Sequence, residues 1–252
     1  MADHANMRLG KKAALTPAHL PTLSRYAVSA PLPRPPAKVD WSNGVPWPIF
    51  ANDQVGDCVI AAMMHAVAAA QRWSEGAAVV QPDKIALANY TAFGKYLPGH
   101  PETDNGLVIA EAMDDWRVNG LTTEQGLNRA RGVARIERLT QLKSALWLFG
   151  PLLLGLQMPA SAQSQDVWTK PDNLEGDNAP GSWGGHCVLL VGLDADGTAS
   201  LVTWGAVKRA EAGWLTAYLD EAWIAVQAAW VESGTTPCGV LADHIVADMG
   251  GF

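Results

Sequence analysis

The pattern of apolar and polar positions divides this chain into a helical first part and a strand-rich second part. Residues 59–73 (VIAAMMHAVAAAQRW) are rich in Ala and Met, with no Gly or Pro, and predict a helix. Its first dozen positions are apolar on nearly every face, which places it in the interior. Asp57 precedes it as an N-cap whose carboxylate can take up backbone donors. A second helix is predicted over 107–119, stopped by Gly120, and a third over about 135–149, stopped by Gly150-Pro151. Residues 151–157 (PLLLGLQ) then suit a buried strand, and a polar loop rich in Asn, Asp, Gly and Pro covers 161–185. The runs HCVLLVGL (186–193) and ASLVTW (199–204) flank the turn residues Asp194 to Gly197, a hairpin signal. Helices followed by antiparallel strands predict an α+β fold.

Ahead of this, residues 1–38 read as an extended arm. Pro17, Pro21, Pro31, Pro33, Pro35 and Pro36 break any helical or strand period. Such a segment is either a free tail or an arm that orders against a protein partner. The globular part is expected over 39–252, with a helical half to about 134 and a mainly β half after it. Composition narrows the class. With 48% hydrophobic and 17% charged residues the chain is not disordered. A net charge of -7 makes nucleic acid a poor partner. No signal-peptide pattern and no membrane-length apolar run is seen, so a cytoplasmic chain, or one packaged in an assembly, and no membrane partner are expected. Cys58, Cys187 and Cys238 make neither a disulfide framework nor a zinc pattern, and no cofactor or metal is expected.

Candidate chemistry starts at Cys58, in GDCVIAA. A cysteine in the first turn of a helix lies beside the positive end of the helix dipole, which favours a thiolate. A nucleophilic thiol needs a base, and His186, opening a strand after Gly184-Gly185, is the candidate. Each residue alone also fits simple burial.

In chain order, several blocks resemble the papain-like cysteine peptidases. They are Val39-Asp40-Trp41 with Gly44-Val45, Asn52 to Cys58 and the helix after it, and Asp104-Asn105-Gly106 with Asn119-Gly120-Leu121. Gly150 to Leu154, Gly185-His186 with 188–192, and Val202-Thr203-Trp204-Gly205 complete the series. The resemblance covers about residues 39–225. It implies a helical left half, a β-barrel-like right half and a cleft between them. It also implies Cys58 as nucleophile, His186 as base, and a peptide or protein substrate. The second oxyanion donor is Gln54 by residue type or Asn52 by spacing. Three departures stand out. The asparagine that orients the imidazole in that family falls at Val202, and Thr203 could replace it only through a register slip or bulge. Asp57 opposes thiolate formation at Cys58. The arm is too short and Pro-rich for the family's helical inhibitory propeptide.

Cys187 is expected to be buried, His65 to be packed or exposed but too far along the helix to act as base, and Asp194 and Asp196 to form a turn. Trp183 and Trp204 can wall the cleft, while Trp73, Trp116, Trp147, Trp214 and Trp223 suit a core or interface. Glu221, Glu232 and Asp243 show no pairing pattern suggestive of acid–base work. Two functions follow: a cysteine peptidase or amidase using Cys58 and His186, or a binding or structural protein on a decayed site, its arm clamping a neighbour in an assembly such as a virus particle. Acyl transfer to an amine would use the same pair.

Overall fold

The computed structural model describes residues 4, 6–26, 34–234 and 238. After α1 (Leu23–Tyr26) and β1 (Val39–Asp40), the helical part comprises α2 (Cys58–Glu75), α3 (Asp83–Gly94) and α4 (Ile109–Val118). The hairpin β2 (Leu121–Thr123) and β3 (Gly126–Asn128) follows, then β4 (Gly132–Ile136) and α5 (Leu142–Phe149). The second part comprises β5 (Leu152–Met158), β6 (Val167–Trp168), β7 (Gly184–Leu193), β8 (Ala199–Thr203) and β9 (Ala206–Ala210). It closes with α6 (Ala212–Tyr218), β10 (Leu219–Val226) and α7 (Ala228–Ser233).

The strands run in the order β4-β10-β5-β7-β8-β9-β6, with β1 also on β7. All pairs are antiparallel except β6 with β9. Among the described residues no ladder joins β4 to β6, so the sheet stays open. One face carries Leu153, Cys187, Leu189, Val191, Val202, Trp223 and Ala225 against α2. The other carries Leu154, Val188, Leu190, Leu201 and Ile224 against α5 and α6.

The central helix is buried from Cys58 through Ala70, as its all-round apolar sequence requires, and ends at Gly76 in the left-handed conformation. The third predicted helix is shorter than its pattern. Arg135 and Ile136 belong to β4, whose small and β-branched residues pair with β10, and helix resumes with a 3-10 turn over Leu139–Gln141 that leads into α5. Trp116, Trp214 and Trp223 fill the core, whereas Trp73 is 37% exposed. Asp243 lies outside the described residues. Among those described, no helix is long and apolar enough to cross a membrane.

Candidate active site

Cys58 opens α2, and its thiol is 1% exposed. The loop before it is fixed by its own backbone. Phe50 and Ala51 both take positive φ (59° and 62°), and the N–H groups of Gln54 and Val55 donate to Ala51 O. Asn52 is buried and its Nδ2 donates to Val55 O at 3.2 Å, while Gln54 is exposed. Asp104 ties this loop to the opposite wall. Its carboxylate accepts the Gly56 N–H (3.0 and 3.1 Å) and the Tyr90 hydroxyl (2.6 Å), and Tyr90 in turn accepts the Gly106 N–H.

The strand β7 brings His186 to the same place. Cys58 Sγ accepts the N–H of Cys187, the residue after His186, at 3.3 Å. His186 is fully buried, its ring stacked on Trp204 at 4.5 Å and 19°. Trp204 is carried by the two-residue turn between β8 and β9, in which Trp204 and Gly205 both have positive φ (46° and 75°). Trp183 packs on the same indole at 5.5 Å.

His186 Nε2 lies 2.7 Å from Thr203 Oγ1, so Thr203, not Val202, is the hydrogen-bond partner of the imidazole. The cause is a bulge. Next to the turn, Leu193 pairs with Ala199 and Gly192 with Ser200, a register that would set Val202 opposite Leu190, on the His186 face. The ladder shifts by one residue at Val191, so Val202 pairs with Leu189 instead. Val202 thereby joins Cys187 and Leu189 on the α2 side, and Thr203 turns to the side of Val188 and His186. His186 Nδ1 is buried and has no hydrogen-bond partner.

Burial dominates the electrostatics. The Cys58 thiol is pushed up to about 12, although the N–H groups of Cys187 and Gly10 point at it. The His186 imidazole is pulled down to about 3 for the same reason. Asp57 caps α2 by position, but its buried side chain makes no cap hydrogen bond to the first turn; the Asn52 side chain and its own backbone N–H are the donors beside it. Desolvation raises its pKa well above the usual carboxylate range, toward the uncharged acid.

The arm adds to this burial at Cys58, where the Gly10 N–H points at the thiol. Its early residues lie extended between Leu107 and Gly185. Lys11 N–H donates to Gly185 O (3.1 Å), Lys12 N–H to Leu107 O (2.8 Å) and Leu107 N–H to Gly10 O (2.7 Å), giving a parallel bridge of Lys11 with Leu107. The fit tolerates only glycine at Gly10, Gly106 and Gly185. A Cβ on Gly10 would stand 1.7 Å from Gly56 O, and one on Gly185 would stand 2.2 Å from Lys11 O. Further out, Trp204 Nε1–H donates to Arg8 O and His4 stacks on the Trp204 ring at 5.1 Å. The Lys11 ammonium is paired with Asp220 (2.5 Å) and Glu221 (3.3 Å). Glu221 is therefore paired, which its sequence neighbourhood did not suggest: its partner lies some two hundred residues away.

The remaining candidates are structural. Cys187 is buried in the core. His65 Nε2 is bound to Pro48 O at 2.8 Å and its ring packs on Phe50 and Trp47. Asp194 and Asp196 hold the β7–β8 turn. Among the described residues, no group of acidic, His and Cys side chains could hold a metal ion.

A largely antiparallel sheet packed on a central helix defines a fold class, and solved structures share that fold. The chain has the papain-like cysteine protease fold. It is similar to xylellain, a cysteine protease from Xylella fastidiosa, at 14% identity and TM-score 0.63, over 89% of this chain and 97% of that one. It is similar to procathepsin L 3 from the Tenebrio molitor larval midgut at 15% identity and TM-score 0.59, over 88% and 77%. The third is procathepsin B S9 from Trypanosoma congolense, at 11% identity and TM-score 0.59, over 89% and 87%. No protein-family model and no curated protein sequence matches the chain.

Proposed function

We propose that this protein is a cysteine peptidase that cleaves peptide bonds, with Cys58 as nucleophile, His186 as base and Thr203 positioning the imidazole. The observation that carries the reading is the unused, buried Nδ1 of an imidazole already held by Thr203 and Trp204, on the residue before the one whose N–H binds the helix-start thiol. A buried polar atom without a partner is rare and costs about 1–3 kcal/mol. The tautomer that donates Nε2–H to Thr203 leaves Nδ1 as a lone-pair base.

In the reaction, the Cys58 proton moves to Nδ1 and the sulfur attacks the carbonyl carbon. The C–N bond breaks as the imidazolium protonates the departing amine, leaving a thioester. Water, deprotonated by His186, then releases the acid and restores the thiol. Cys58 N–H and a loop amide hold the oxyanion. We assign that amide to the exposed Gln54, because Asn52 already supports Val55 O.

With the arm in place both partners are uncharged, and the thiol is shielded from water. Catalysis therefore begins with arm release. The test is hydrolysis of a peptide library by the full chain, before and after limited trypsin digestion quenched with a serine-protease inhibitor. Cleavage that vanishes in Cys58→Ala supports the reading. No Cys58-dependent cleavage in either preparation overturns it and leaves the binding role.

A further inference from the structure

Lys11 occupies a pocket built for a cation. Its ammonium, with a fully buried side chain, lies 2.5 Å from Asp220 Oδ2 and 3.3 Å from Glu221 Oε1, and donates to Lys12 O at 3.1 Å. It donates to Asp220 Oδ2 and Lys12 O, and Glu221 Oε1 stands beside it as an ion-pair partner without a hydrogen bond. Both carboxylates are held in place by other donors: Glu221 Oε2 by Trp223 Nε1–H at 2.7 Å, Asp220 Oδ2 by Gln157 Nε2–H at 3.1 Å. The stem of the lysine passes over Gly155, where a Cβ would stand 2.3 Å from Lys11 Cε. Two fixed carboxylates at the end of a glycine-walled channel favour one kind of guest.

The rest of the arm's binding here is independent of side chain. Leu107 and Gly185 bind its backbone from two sides, as a sheet edge binds an added strand, and another extended peptide can make the same bonds. Selection then falls to the pocket. We propose that Gly155, Asp220 and Glu221 form a recognition pocket for a lysine-like side chain, with Lys11 as its occupant in cis, so that the substrates are peptides carrying a basic residue beside the bond presented to Cys58. The cleavage part rests on the peptidase reading; the recognition part does not.

The test uses the full chain with Gly10→Val and Lys11→Glu together, which add a backbone clash and a charge reversal to expel the arm. In a Cys58→Ala background, fluorescence polarisation follows a labelled peptide of residues 6–14 and the same peptide with norleucine in place of lysine at position 11. The expected result is at least tenfold tighter binding of the lysine peptide, a gap that closes when Glu221→Gln and Asp220→Asn are added. Equal binding of the two peptides, or binding of neither, overturns the inference. With Cys58 retained, preferential binding without hydrolysis keeps the pocket and sinks the peptidase reading; hydrolysis without lysine preference does the reverse. Should the expelled-arm chain not fold, Glu221→Gln with Asp220→Asn in the otherwise natural chain serves instead. Neutralising the pocket should release the arm and speed iodoacetamide alkylation of Cys58 at least tenfold, and an unchanged rate overturns the proposal.

Discussion

Two histidines in this molecule share a physical state and differ in everything else. His65, midway along α2, and His186, at the start of β7, are both buried, and burial lowers both pKa values, to about 4 and about 3. His65 has one ring nitrogen bound to a backbone carbonyl and aromatic rings around it. His186 has one nitrogen on a hydroxyl, an indole under its face, and a second nitrogen without a hydrogen-bond partner. Depressed basicity therefore does not tell the two histidines apart; the unspent, desolvated nitrogen of His186 does.

The sharpest way to break this comparison is by activity of the arm-released chain. His186→Ala should lower kcat/KM by about 10³-fold or more, as loss of the base does in triad enzymes, whereas His65→Gln should leave it nearly unchanged. If the two substitutions cost the same, the distinction drawn here is wrong.

Thr203→Ala comes next, at about tenfold or more in kcat, because a loosened imidazole transfers protons less well. Thr203→Ser should restore the rate, and the acid limb of the pH–rate profile should move in Thr203→Ala only. A purely structural role for Thr203 would lower the melting temperature without moving that limb.

Stability reverses the ranking of expected effects on the His65 side. His65→Ala leaves Pro48 O without its donor and should cost about 1–3 kcal/mol in urea unfolding. The pH dependence follows from both histidines. Their folded pKa values lie below the ordinary value of 6.5, so the unfolded chain binds more protons between about pH 6.5 and 3. Stability should fall as pH drops through that window. Asp57 acts in the opposite sense, since its raised pKa favours the folded chain at low pH. On the alkaline side Cys58, raised to about 12, stays protonated where unfolded thiols ionise, so stability should decline above about pH 9. Urea midpoints at pH 5, 7 and 9.5 check both limbs, and a flat profile would contradict the burial of these groups. The smallest effect is expected at the turn: Asp194→Ala, which breaks a half-exposed pair with Arg209, should cost less than about 1 kcal/mol.

The local pattern was sufficient for the elements that depend on near neighbours. An Ala- and Met-rich run without breakers must be a buried helix, and two apolar runs around Asp194–Gly197 must form a hairpin. It also carried the order of the blocks that place Cys58 before His186. It failed at 135–138, where Arg135 and Ile136 pair with β10 instead of opening a helix, and α3 went unread because its apolar residues do not gather on one face, only Ala86, Asn89 and Tyr90 being buried.

Three features depended on contacts between residues far apart in the chain. The bulge at Val191 decides whether Val202 or Thr203 meets the imidazole, and a one-residue shift in a ladder has no signature in either strand alone. The ion cluster of Lys11 with Asp220 and Glu221 joins the two ends of the chain. The neutral state of Cys58 and His186 comes from water being excluded. Periodicity and residue type act over a few positions and leave their record in the sequence; desolvation and register are set by whatever the rest of the chain lays against a group, and arise only on folding.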